Sequence, residues 1–404
     1  MTTFLYRARD NAGKLVRGVI EALAKPEVAD KLRRMGYSPV DISESSGSFR
    51  LEDLSKIFQR ISTEEMIMFN LQLSNMLDSG LSIMSSLDTL KKQIENRRLK
   101  EIIASVGRNV EGGMNFSQSL ALHPRVFPRL LVNMVAAGEA SGNLDKVLAR
   151  YAAFAEAQAD LEQKIRGALF YPMILMIAAT LVIVFIVTFV IPQFVEIFGR
   201  SGIALPLPTI ILYKAGNFIK QFWYGLGIGL FALGLLVKKY ASTKDGKLFF
   251  DRLSLKLPVI GLLVRRTCIS RFARTLATLV GSGVPILQSL DIVREVVNNE
   301  ILGQAVYQMR LAAEKGERLA AALKVSAEFP LDIVQMIAVG EETGALEDML
   351  NKVSDFYDRA IGYSIKKLTT LLEPAFLLVM GSIVAFIMAS MLLPMFDMIT
   401  LLRH

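Results

Sequence analysis

The stretch Phe69-Asn-Leu-Gln-Leu-Ser-Asn-Met-Leu-Asp-Ser-Gly80 recurs 203 positions later as Phe272-Ala-Arg-Thr-Leu-Ala-Thr-Leu-Val-Gly-Ser-Gly283. The same offset relates Leu87-Asp88 to Leu290-Asp291 and Gly113 to Gly316. After a one-residue deletion the offset is 202. It then carries Phe127-Pro128 to Phe329-Pro330, Gly138-Glu-Ala-Ser-Gly142 to Gly340-Glu-Glu-Thr-Gly344, Pro172 to Pro374, and Pro192-Gln-Phe194 to Pro394-Met-Phe396. Colinear identities over this distance read as an internal repeat.

Each copy reads as helix. Ser62-Thr63-Glu64-Glu65 looks like an N-cap with an acidic first turn, and Phe69, Leu73, Met76 and Leu77 recur at helical spacing. Gly80, Gly112-Gly113, Pro124 to Pro128 and Gly138 to Gly142 punctuate successive helices. The expectation is two repeated cytoplasmic helical bundles, at 55–168 and 258–370.

Three uncharged runs lie outside these bundles. One holds 29 residues between Arg166 and Glu196, one 17 between Lys220 and Lys238, and one 23 between Glu373 and Asp397. A spanning helix needs about 20 apolar residues. Three transmembrane helices are therefore predicted, at 169–192, 221–240 and 372–396, with Trp223, Tyr224 and Tyr240 as an aromatic belt on the second. Pro172 and Pro374 are membrane-entry prolines, and Pro192 and Pro394 read as terminators. The stretch Ile203 to Tyr213, with Pro206 and Pro208, reads as loop or interfacial segment.

Basic residues set the orientation. Lys164 and Arg166 precede the first run, Lys238, Lys239, Lys244 and Lys247 follow the second, and Lys366 and Lys367 precede the third. The positive-inside rule then puts the N-terminus in the cytoplasm, a 193–220 loop in the periplasm and the C-terminus in the periplasm. The repeat agrees independently. Two copies of like sidedness need one extra span between them, and the second run is that span.

Residues 1–44 differ. Phe4, Tyr6 and Ala8 alternate, Asp10 to Gly13 forms a turn, and Leu15 to Ile20 resumes a strand. A helix from Pro26 to Met35, a further strand at Val40 to Ile42 and a linker at Ser43 to Ser48 complete a small N-terminal α+β domain. The whole is mainly α, a polytopic membrane protein.

Composition narrows the chemistry. Mean hydropathy is +0.41, with 52% hydrophobic residues in 404. The single cysteine, Cys268, excludes an intrachain disulfide, and His123 and His404 are too few for a His/Cys zinc cluster. The opening ten residues lack the apolar core of a signal peptide. The net charge of +8 mostly decorates cytoplasmic flanks, which argues against nucleic acid as a partner.

Gly13-Lys14 and Gly246-Lys247 are each followed by Leu and lack a phosphate-loop spacing. The Gly225-x-Gly227-x-Gly229 cluster is either a close-packing face or a set of tolerated glycines. The runs hold no Asp, Glu, Lys, Arg or His, which disfavours the alternative of a transporter or channel component. A membrane-anchored enzyme lacks a nucleophile, metal or phosphate-loop constellation, so no catalytic residue, cofactor or metal is assigned.

The paired turns carry two readings. Either glycine caps one helix and Ser141 or Thr343 starts the next, or Glu139 and Glu341 face a partner. On the second reading Gly138, Glu139, Ser141, Gly142, Gly340, Glu341, Thr343 and Gly344 are partner-contact residues. A metal at Glu139, Asp145 or Glu347 is a weaker alternative.

Taken with these turns, Lys164-Ile-Arg-Gly-Ala-Leu-Phe-Tyr-Pro172 and Lys367-Leu-Thr-Thr-Leu-Leu-Glu-Pro374 carry a resemblance. So do Ile191-Pro-Gln-Phe194, Leu393-Pro-Met-Phe396, Phe4-x-Tyr-x-Ala8, Gly18-x-Ile-Glu-Ala22, Leu32-Arg-x-x-Gly36 and Leu205-Pro-Leu-Pro-Thr209. The chain resembles the type II secretion protein F / type IV pilus PilC family of inner-membrane platform proteins, over nearly its full length. The resemblance implies a non-enzymatic hub, around which pilins or pseudopilins are lifted into a filament. It also implies a cytoplasmic hexameric ATPase and other inner-membrane platform proteins as partners, and a homo-oligomer. Some secretion-type relatives hold calcium through carboxylates after the first turn. Leu148-Ala-Arg-Tyr-Ala-Ala-Phe154 lacks acids there, so no metal is expected. The tail Leu371-Leu-Glu-Pro-x4-Val-Met-Gly381 leans toward secretion without separating the two systems.

Overall fold

A computed structural model describes residues 2–9, 15–22, 25–34, 36–44, 61–200, 206–258, 260–326 and 328–401. The expected turn at residues 10–13, most of the expected linker (45–48) and residues 201–205 of the expected loop lie outside the described residues. The chain is mainly α-helical and divides into two compact units, 1–61 with 94–101, and 62–93 with 102–404.

In the first unit, β1 (Thr2–Arg9) pairs antiparallel with β2 (Leu15–Ala22) and with β3 (Ser38–Glu44), giving the order β2-β1-β3. Helix α1 (Lys25–Arg34) contributes buried Val28 and Leu32, and Ala8 of β1 is also buried.

The second unit opens with α2 (Thr63–Asp78), α3 (Ile83–Gln93), α4 (Arg97–Glu111, which begins in the first unit), α5 (Phe116–Ala121), α6 (Arg129–Ser141) and the long α7 (Leu144–Phe185). Ser62 and Glu65 close a reciprocal capping box at the start of α2. A π-helical turn (Ile186–Val190) joins α7 to α8 (Ile191–Arg200). Next come α9 (Leu207–Ala241) and α10 (Lys244–Lys256). They are followed by α11 (Ile260–Gly281), α12 (Ile286–Val296), α13 (Glu300–Glu314), α14 (Leu319–Lys324), α15 (Leu331–Thr343) and α16 (Leu346–Leu401).

The helices from α11 to α16 follow the order of α2 to α7, and their turns match in conformation. Gly80 and Gly283 have φ of 84° and 80°, Gly113 and Gly316 of 90° and 77°, Gly142 and Gly344 of 74° and 70°. Aromatic pairs correspond too. Phe69 lies 6.4 Å from Phe127, and Phe272 lies 5.1 Å from Phe329, between ring centroids. All four rings are buried.

Among the described residues two helices are long and apolar enough to cross a membrane, Leu144–Phe198 and Leu346–Leu393. A third would arise if the bent pair Leu207–Gly225 and Gly227–Ala241, inclined at 60°, forms one span. Large apolar side chains such as Phe170, Leu181, Phe185 and Leu378 are exposed along the two long helices, as suits a lipid solvent.

Several expectations change. Helix α7 runs through residue 168 into the apolar run without interruption, so the backbone itself marks no boundary there. Pro192 does not terminate a helix. The preceding turn widens, so that the Ile191 N–H donates to the Ile186 carbonyl five residues back, and α8 continues to Arg200. Residue 394 likewise lies within α16. The segment expected as loop is largely helical. Pro206 is the N-cap of α9 and Pro208 sits in its first turn, where a missing N–H costs nothing. The helix bends at Phe222, whose φ of −113° and ψ of 18° leave the helical region.

Candidate functional site

The two Gly-Glu turns have a common construction. Gly138 and Gly340 are the close-contact positions. A Cβ at Gly138 would lie 3.1 Å from Val147 Cγ2, and one at Gly340 would lie 3.0 Å from the Leu346 Cα. Gly142 and Gly344 are the left-handed C-caps of α6 and α15. Ser141 and Thr343 do not start the next helices. Each is the last residue of its own helix, and the Thr343 hydroxyl donates to the Val339 carbonyl at 2.7 Å. Helix α7 starts at Leu144, after Asn143.

The glutamates serve a different helix. Glu139 accepts from the backbone N–H of Phe116 at 2.6 Å and of Ser117 at 3.1 Å, and the Ser117 hydroxyl also donates to it. Glu341 accepts from the N–H of Leu319 at 2.7 Å and of Ala320 at 3.0 Å. Both carboxylates thus cap the orphan donors of the six-residue helices α5 and α14, where the helix dipole favours an anion. Sequence reasoning missed this role, because the donors lie 21 to 23 residues upstream.

The turns meet different surroundings. Ser141, with Asn143, Lys146 and Arg150, borders an open cleft of about 720 Å³ whose far wall is Gly281 to Pro285 and Gln288. Across this junction Arg150 Nη1 lies 2.6 Å from Glu347 Oε1, Arg129 lies 2.5 Å from Glu295, Arg271 lies 3.4 Å from Glu162, and Gln288 donates to Asn133. Pro172 lines a second cleft, of about 610 Å³, between α7 and α16, which also contains Glu373.

Of the acids weighed for a metal, Glu139 is held by N–H groups and Glu347 by Arg150. Among the described residues no group of three or more His, Cys, Asp or Glu could hold a metal ion. Burial pushes the Cys268 thiol up to about 12, so it is not a thiolate at neutral pH.

Long apolar helices that continue out of two matching helical groups define a mainly α-helical protein of the polytopic membrane class. The family model for type II secretion system (T2SS), protein F, matches residues 69–192 and again 272–394, and that for the N-terminal domain of the same protein matches residues 1–43. The chain belongs to the type II secretion system protein F family, which includes PilC proteins. It is 38% identical over 401 residues to the type IV pilus assembly protein PilC of Thermus thermophilus, covering 99% of this chain and 98% of that one. It is 32% identical over 406 residues to the type II secretion system protein F of Vibrio cholerae, covering all of both chains. A Myxococcus xanthus type IV pilus assembly protein PilC is 32% identical over 398 residues, covering 98% of this chain and 94% of that one. Relatives of both machines thus share its full length.

Proposed function

We propose that this protein is the inner-membrane assembly platform of a type II secretion or type IV pilus machine. It couples a cytoplasmic hexameric ATPase to the insertion of pilin-like subunits into a filament, and it catalyses no reaction itself. The observation that carries this reading is the paired match of one family model to two segments, each ending in a long apolar helix. Two copies, at 55–168 and 258–370, form cytoplasmic helical bundles that receive the ATPase. Spans at 169–192, 221–240 and 372–396 meet the pilins, and residues 1–44 form a separate α+β domain.

The N-terminus is cytoplasmic and the C-terminus periplasmic on this reading. Basic residues flanking the runs and the like sidedness of the two copies support it. Alkaline phosphatase fused after Ser201 or at the C-terminus is expected to be active, and fused after Ser242 inactive. Activity at Ser242, or none at the other two, overturns the topology. For the role itself, the purified protein is expected to retain a hexameric secretion or pilus ATPase from the same cells and to turn over no nucleotide alone. Nucleotide turnover without that ATPase overturns the platform reading.

A further inference from the structure

We infer that this chain associates head to tail with further copies of itself, through a surface that repeats its own internal junction. The chain displays that junction once. The α6–α7 face of the first helical group meets the α11, α12 and α16 face of the second, through Arg150–Glu347, Arg129–Glu295 and Asn133–Gln288. The contact is not reciprocal. Lys352 stands where Arg150 stands in the repeat, and Asp145 where Glu347 stands. Among the described residues neither Lys352 nor Asp145 makes an ion pair. A junction that uses two different faces is heterologous, and each chain then ends in one unused face of each kind.

The unused faces carry the marks of an interface. On the second group, Phe356 is 53% exposed and Leu331 66% exposed, at the positions that Phe154 and Arg129 occupy in the first. Phe154 is half-buried at the junction, where it lines a cleft together with Arg274. On the first group, Leu71 replaces Arg274 and is 42% exposed. A second copy would therefore bring Phe356 and Leu71 onto one cleft, an apolar pair where the internal junction has Phe154 and Arg274 lining the same cleft.

The charges complement each other in the same register. Inside the chain Gly281 makes room for the internal pair, since a Cβ there would lie 2.1 Å from Arg150 Nη1 and 2.3 Å from Glu347 Oε1. In the first copy that position is Asp78. The bulky guanidinium over a glycine is thus exchanged for the slimmer Lys352 ammonium, which meets both Asp78 and Asp145 of the next chain. Removing the two apolar side chains from water drives the contact, and the charges fix its register. Asp348 approaches Asp78 in this register and opposes the association, so the contact is weaker than the internal one. The inference rests on the duplication and is independent of the platform role.

The test is cysteine cross-linking of the full chain in membranes, in a Cys268→Ala background, with two differently tagged forms. Leu71→Cys and Phe356→Cys are expected to cross-link only when both forms are present, and a chain carrying both substitutions should give a ladder of multimers. Lys352→Glu should abolish the ladder, and Asp145→Lys on the facing chain should restore part of it. Asn133→Cys with Gln288→Cys, which spans the internal junction, cross-links within one chain and reports an intact fold in every variant. Cross-linking of either single form with itself, or none between the two forms while the internal pair still closes, overturns the inference. Neither result depends on filament assembly.

Discussion

The Glu139 carboxylate caps helix α5 from 23 residues away, accepting the Phe116 N–H at 2.6 Å. The acid of the recurring turn is thus a fixture of the fold as well as a candidate contact, and any substitution there must be read through both. Bonds from backbone donors to a charged acceptor contribute about 1.5–3 kcal/mol. Glu139→Gln keeps an acceptor but loses the charge, and should cost about 1 kcal/mol in detergent-solubilised unfolding. Glu139→Lys should cost more and lower the membrane level. Normal level and melting temperature in Glu139→Lys, with assembly lost, would identify a partner surface and demote the cap.

The first glycines of the two turns should differ in their tolerance of alanine. A Cβ at Gly138 meets Val147 Cγ2 at 3.1 Å and its Cβ at 3.2 Å, with the nearest backbone atom, Leu144 Cα, at 3.4 Å, whereas one at Gly340 meets the Leu346 Cα itself at 3.0 Å. Overpacking costs about 1–3 kcal/mol. Gly340→Ala is expected to be the more destabilising, by melting temperature of the purified chain. Equal losses would mean that α7 and α16 each shift as a body to make room.

Cys268 should resist alkylation in the native protein. Burial raises its thiol from an ordinary value of 9.0 to about 12, with nearby Arg271 pulling down and Asp251 pushing up more weakly. The unfolded chain therefore loses this proton first. The thiol's contribution to stability is fully present below about pH 9, and is lost as pH rises from there toward 12. Iodoacetamide at pH 8 should leave the folded protein unmodified and label it in denaturant. Rapid labelling of the folded protein would contradict the buried position.

Much of this architecture is legible in the sequence because repeats and apolar runs are local signals. The six-helix order follows from glycines at matched offsets, and the long helices from the absence of charge. Three features escaped for physical reasons. The end of the first helical group leaves no mark on α7, since a membrane boundary changes the solvent and not the backbone. Pro206 and Pro208 looked like breakers, yet proline at a helix start is compatible with helix, and α9 begins there. The caps of Glu139 and Glu341 are long-range, and no spacing within the turn encodes their donors.

The glycine that matters most in the apolar region is Gly216, rather than the Gly225, Gly227 and Gly229 cluster. A Cβ at any of those three would meet nothing within 4 Å. A Cβ at Gly216 would lie 2.2 Å from the Val187 carbonyl oxygen, in the π-helical turn ahead of Pro192. Val187, Ile191 and Val195 form a small core there, covered by Leu212 and Tyr213 of the first arm of α9. Gly216→Ala must therefore separate α9 from the turn, or distort a carbonyl that has no freedom to rotate. The expected loss is about 1–3 kcal/mol, read as a lower melting temperature in detergent. Gly225→Ala, Gly227→Ala and Gly229→Ala should be neutral or slightly stabilising, because alanine is the better helix former. If Gly216→Ala melts with the wild type while a substitution in the cluster does not, the packing of α9 against the π-helical turn is wrong. The cluster would then be the true helix–helix contact.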